Sequence, residues 1–144
     1  MKKMILLLGT GFVVITANAQ KMKEAEVPAN VKSAFTQKYP GTKAKGWEKE
    51  DGNFEVEFDN NKAEMTLVID PNGNVLQTET EIKVSELPKA VADYCAQKYA
   101  GKRIKEVSKI VSAKGVTTYE AEIDKMDVIF DSTGKFLREE KDND

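Results

Sequence analysis

The chain has 144 residues, with 22 basic and 24 acidic side chains, one cysteine and no histidine. Interspersed charges of both signs lack the clustered Lys and Arg that nucleic acid demands. Without histidine, neither Ser-His-Asp or Cys-His catalysis nor the usual histidine-bearing zinc site can be assembled.

The chain opens with Lys2 and Lys3, an apolar run of 11 residues from Met4 to Val14, and the small-x-small pattern Ala17-Asn18-Ala19. This predicts a signal peptide over residues 1–19, cleaved after Ala19. The run is short of the roughly 18 to 20 apolar residues that cross a bilayer. The product is expected to be periplasmic or secreted, with no membrane attachment afterwards. Cleavage leaves 125 residues, 20 of them basic and 24 acidic, enough for one compact domain or two half-size units sharing a core.

The remainder repeats itself. Residues 27–41 return at 87–101, most visibly Gln37-Lys38-Tyr39-Pro40-Gly41 as Gln97-Lys98-Tyr99-Ala100-Gly101. Phe54-Glu55-Val56-Glu57-Phe58 returns as Tyr119-Glu120-Ala121-Glu122-Ile123, and Asp70-Pro71-Asn72-Gly73-Asn74-Val75-Leu76 as Asp131-Ser132-Thr133-Gly134-Lys135-Phe136-Leu137. Internal repetition is the sequence signature of duplicated architecture, here with copies at 20–84 and 85–144.

Each copy starts with a helix. Val31, Ala34, Phe35 and Tyr39, like Val91, Tyr94, Cys95 and Tyr99, fall on one helical stripe. Pro28 and Pro88 suit the first turn, and Gly41 and Gly101 suit the stop. The apolar period then drops to two, giving strands around Phe54-Val56-Phe58 and Tyr119-Ala121-Ile123. Further strands are expected near 63–70, 75–80, 125–131 and 135–139, with a less regular one before each set, near 43–50 and 104–111. Asp70-Pro71-Asn72-Gly73 and Asp131-Ser132-Thr133-Gly134 read as hairpin turns. The connector 81–86 is short and polar, so the copies are expected to touch. The charged tail 139–144 is expected to fray. The expected class is α+β: two tandem helix-plus-antiparallel-sheet repeats, with the helices on one face of a shared or adjoining sheet.

Catalytic material is sparse. Cys95 lies on the apolar helix stripe and reads as a buried structural thiol, and no glycine-rich phosphate loop is present, so no cofactor and no metal are expected. Glu55 with Glu57, and Glu120 with Glu122, are i, i+2 carboxylate pairs on one strand face. Such pairs could serve glycoside hydrolysis or a hard cation, but alternation alone predicts them as the solvent side of half-buried strands. Asp70-x-Asn72-x-Asn74 opens like a calcium loop, yet its glycine comes two places early, so a hairpin explains it better. Trp47 is either core or an exposed anchor. Val68 and Ile129 run out of phase with the inward set and are expected on the outer sheet face.

The order helix, aromatic-Glu-aliphatic-Glu-aliphatic, Asp-x-x-Gly-x-aliphatic-Leu resembles the PepSY-like, beta-lactamase-inhibitor-like family of exported bacterial proteins. The resemblance covers nearly the whole mature chain. It implies a tandem fold whose sheet forms a concave face with helices behind, used to grip or restrain another protein. The lack of paired cysteines departs from the disulfide-bearing beta-lactamase inhibitor, and no inhibitory residue carries over. The expected function is an exported, non-enzymatic binding module whose sheet face, with Trp47, Glu55, Glu57, Val68, Glu120, Glu122 and Ile129, meets a protein or peptide. An inhibitor or regulator of an exported hydrolase is the specific form of that expectation. A carboxylate-dependent cation binder or hydrolase is the alternative.

Overall fold

The computed structural model describes residues 19–141; the expected leader lies outside them except for Ala19, as do residues 142–144. Helix α1 runs over Ala29–Lys38 and α2 over Lys89–Lys98. Pro28 and Pro88 are the residues just before each first turn. A 3-10 turn precedes each helix, Glu24–Glu26 and Val84–Glu86, closed by the same reach-back: Glu26 and Glu86 accept from the amides of Lys23 and Lys83 at 2.9 and 2.8 Å.

The strands are β1 Gln20–Met22, β2 Ala44–Glu50, β3 Asn53–Asn60, β4 Ala63–Ile69, β5 Val75–Glu81, β6 Ile104–Ser112, β7 Thr117–Ile123, β8 Met126–Asp131 and β9 Phe136–Lys141. All nine, among the described residues, form one antiparallel sheet in sequence order. This overturns the α+β expectation of two helix-plus-sheet repeats. The protein is mostly β, a single meander carrying two ten-residue helices. The reason is the ladder at the middle: Gln77–Glu81 of β5 pairs with Ser112–Ser108 of β6. A small sheet under one short helix leaves two open edges and little buried area, and joining the copies removes the inner pair of edges.

Cross-strand register sorts the side chains by face. Val56 opposes Leu67, Leu67 opposes Thr78, Thr78 opposes Val111, and Val107 opposes Ala121. Both cores therefore lie on one side of the sheet. In the first, Val31 and Phe35 of α1 pack on Trp47, Phe54, Val56, Phe58, Leu67 and Ile69. In the second, Val91 and Cys95 of α2 pack on Val107, Ala121, Ile123, Val128 and Phe130. Each fully buried Val or Phe of these stripes contributes about 1.5–3 kcal/mol. Burial also pushes the Cys95 thiol upward, as expected for a packing residue.

The two Asp-x-x-Gly turns dock on the helix starts. Asp70 Oδ1 accepts from the amides of Asn72 and Asn74, both at 2.8 Å, and Oδ2 from the Asn74 side chain at 2.9 Å. The calcium-like triplet is thus a self-capped hairpin turn. Asp131 Oδ1 takes the same part with the Thr133 hydroxyl at 2.6 Å, the Thr133 amide at 2.8 Å and the Lys135 amide at 3.0 Å. These bonds, the Asn74 and Thr133 side chains foremost, hold both carboxyls below their ordinary range. Asn30 of α1 donates to Pro71 O at 2.8 Å. The tail is ordered further than its charge suggested: β9 extends to Lys141, tied by Lys98 Nζ to Glu139 at 2.9 Å and by the Tyr99 hydroxyl to the same carboxylate.

Gly134 has φ +88°, and a Cβ there would sit 2.9 Å from Ala90 Cβ and 3.2 Å from the Val91 amide nitrogen. Gly134→Ala is therefore expected to lower the unfolding free energy by about 1–3 kcal/mol, measured by urea denaturation. A loss no greater than that of Gly115→Ala, which also has positive φ (+77°) but open space around it, would show that docking of the turn on α2 contributes nothing.

Candidate site on the open face of the sheet

The alternation that sends Phe54, Val56 and Phe58 toward α1 sends Glu55 and Glu57 to the opposite side. No helix of the described residues covers that side. Register builds it row by row. Glu48, Glu55, Val68, Gln77 and Ser112 form one cross-strand row, and Glu57, Thr66, Glu79, Ile110 and Thr118 the next. Glu81, Ser108, Glu120, Ile129 and Arg138 form a third. Glu55 thus meets Val68 directly, and Glu120 meets Ile129, in matching positions of the two copies.

The face curves. Ladder slips recur at equivalent places, between Ala44 and Gly46 and between Ile104 and Glu106, then at Val68/Ile69 and Ile129/Phe130, and such bulges bend and twist a strand pair. A hollow of about 500 Å³ results, lined from six strands, β1 to β6. Met22, Gly46, Trp47, Thr66 and Ser108 contribute to its lining, and its acidic lining comes from Glu48, Glu55, Glu57, Glu64, Glu79, Glu81 and Glu106. Two lysines, Lys21 and Lys45, stand against these seven carboxylates. Lys45 Nζ is 2.6 Å from Glu64, 3.0 Å from Glu57 and 3.5 Å from Asp59, and those bonds raise its pKa.

The glutamates expected to face water are in part deeply covered. Glu55 is 8 % exposed and Glu120 9 %, and Glu79, which the sequence did not single out, is 6 % exposed. Burial, then the neighbouring Glu50, Glu79, Glu48 and Asp51, pushes the Glu55 carboxyl up to about 9. Glu57 and Glu122 are less buried and are paired, Glu57 with Lys45 and Glu122 with Lys105 at 2.7 Å. Val68 and Ile129 lie on the outer face as expected, yet each is only 1 % exposed, submerged among longer polar neighbours. Trp47 goes the other way: its ring is in the first core, edge-on to Phe35 at 5.8 Å, although the residue also borders the hollow.

Sequence reasoning missed Glu79, Glu81, Glu106 and Ser108, which lie where the copies meet. Gln77-Thr78-Glu79-Thr80-Glu81 has no apolar residue to set its phase, so the side facing the hollow is fixed only by pairing with β4 and β6. The chemistry available is recognition of positive charge. Among the described residues no group of three or more His, Cys, Asp or Glu is arranged to hold a metal ion.

A family model described as "Putative beta-lactamase-inhibitor-like, PepSY-like" matches residues 13–77 and again 70–138. The chain belongs to this family. PepSY-like organisation agrees with the two helix-to-hairpin segments seen in the sequence. Among solved structures it is similar to a DUF2874 family protein from Bacteroides uniformis, with 20% identity, TM-score 0.72, 80% of this chain and 89% of that one covered. It is also similar to a protein from Bacteroides eggerthii described as one of the "putative periplasmic proteins", with 17% identity, TM-score 0.72 and 80% and 88% covered. A BLIP-like protein from Bacteroides fragilis matches with 22% identity, TM-score 0.64 and 79% and 85% covered. At these identities the likeness is one of fold. No curated protein matches the chain.

The raised Glu55 pKa sets a pH signature. Between about 4.5, the ordinary value, and about 9 the folded chain keeps a proton that the unfolded chain has released. This contribution is fully present below the unfolded pKa and is lost as pH rises toward the folded one. Glu55→Gln is expected to raise the unfolding free energy at pH 8 by at least about 1.4 kcal/mol, the worth of one pKa unit, and to change it little at pH 4. Urea melts of both proteins across that range check it; a difference independent of pH would mean that Glu55 is ionised in the fold.

Proposed function

We propose that the protein is an exported, non-enzymatic binding module that holds a protein or peptide against the open face of its sheet and thereby restrains or regulates an exported hydrolase. The observation that carries this is the contrast between the two faces. Both helices and both cores are on one side, whereas the other is a hollowed surface with carboxylates held at 6 to 9 % exposure. Burial of the Glu55 carboxyl costs folding free energy, so its retention argues for use of that face. Membership of the PepSY-like, beta-lactamase-inhibitor-like family supports a binding role, and the periplasmic description of the B. eggerthii structure supports export. The pairing of Glu57 and Glu122 with lysines gives no advantage to the cation-binding or hydrolytic alternative.

A photo-crosslinking side chain placed at Thr66, which lines the hollow, is expected to yield discrete adducts in envelope fractions of producing cells. The same group at Lys32 or Gln97, on the helices, is expected to yield none. Adducts equally abundant from both faces, or absent from Thr66, overturn the assignment of the sheet face.

A further inference from the structure

Resting on export and on cleavage after Ala19, we propose that Gln20 becomes the first residue and closes to a pyroglutamyl ring, a covalent cap on strand β1.

Residue type is the first argument. The Ala17-Asn18-Ala19 pattern places the cut before Gln20. A terminal glutamine carries its side-chain carbonyl carbon, Cδ, where its own α-nitrogen closes a five-membered lactam. The α-amine titrates near ~7.7–8.0, so a fraction of it is uncharged and nucleophilic at neutral pH. That nitrogen attacks Cδ and a new C–N bond forms. The bond from Cδ to Nε2 breaks, and Nε2 leaves as ammonia, taking the proton that the α-nitrogen gives up. No oxidant, reductant or activating group enters the step.

Placement is the second argument. β1 begins at Gln20 itself, so the fold starts at the same residue that the cleavage pattern makes terminal. Gln20 is exposed. β1 is also first in the strand order, so among the described residues no other strand flanks its outer edge. A ring at that tip meets open solvent.

The third argument is what the cap preserves. β1 has three residues and one partner strand, and chain ends held this lightly are where proteolysis concentrates. Yet Met22 packs on the first core, and Lys21 stands opposite Glu48 and lines the hollow. An aminopeptidase grips a free α-amine and removes one residue at a time, so Lys21 and Met22 would follow Gln20. The lactam presents no such amine.

Charge agrees with this. Gln20 pairs across the ladder with Lys49, whose Nζ lies 5.6 Å from the centre of the Phe54 ring. An α-ammonium at residue 20 adds a second cation to that pair, and like charges directly opposite weaken a sheet. The ring replaces it with one neutral N–H, as an ordinary peptide bond would.

Mass spectrometry of the mature protein, recovered from the cells that naturally make it, tests the assignment. Its amines are dimethylated before digestion, so only an amine free in the intact protein takes the label. The N-terminal peptide is expected to begin at residue 20, unlabelled at its α-nitrogen and lighter than the encoded sequence by one ammonia. A labelled Gln20 amine overturns the proposal. A terminus at any other residue also overturns it, by removing the cleavage it rests on, and leaves the binding role standing. Gln20→Ser cannot form the ring. It is expected to carry a labelled terminal amine and to lose residues 20–22 to a broad-specificity aminopeptidase at least tenfold faster than the unchanged protein. Pyroglutamyl peptidase, which removes the ring, is expected to bring the unchanged protein to the rate of the variant. Equal trimming of the untreated protein and the variant would overturn the cap.

Discussion

The β5–β6 ladder is the interaction on which the rest depends. Gln77 to Glu81 against Ser112 to Ser108 turns two short antiparallel sets into one surface broad enough to curve. It also brings Glu79 and Glu81 of the first copy beside Glu106 and Ser108 of the second, so the hollow straddles the joint. The longer β6–β7 hairpin makes the joint possible. β6 runs to Ser112, whereas β2 ends at Glu50 and its outer edge takes only the three residues of β1.

The division of labour between faces follows from that sheet. On the helix side, aromatic and branched side chains pack around Phe35 and Phe58, whose rings are 5.0 Å apart, and around Tyr94, Phe130 and Phe136. That packing supplies the stability without a disulfide. The open side draws on it: curvature buries Glu55, Glu79 and Glu120 together with Val68, Ile110 and Ile129. Burial foremost, and then the neighbouring carboxylates, disfavour the ionised form of Glu55, which is why its proton outlasts neutrality.

Much of the chain was legible in order. Helix stripes, alternating strands and Asp-x-x-Gly turns all carry local signals, and the elements came out within a few residues of their observed bounds. β1 was missed because Gln20-Lys21-Met22 has no pattern and exists only as an edge on β2. The tail 139–141 was misjudged because its charge concealed tertiary ties from Lys98 and Tyr99 to Glu139. The class was misjudged for a related reason: repetition in a sequence shows that a unit is copied, but strand pairing decides whether the copies remain units.

The sequence by itself determined which residues alternate, where the chain turns and that the plan is duplicated, because those follow from backbone period and glycine conformation. It also placed Glu55, Glu57, Glu120, Glu122, Val68 and Ile129 on one side of the sheet. Tertiary structure alone decided that the sheet is continuous and curved, and that Trp47 belongs to the core. Burial of the outward carboxylates was decided there too, because desolvation depends on neighbours from distant strands that no local pattern encodes.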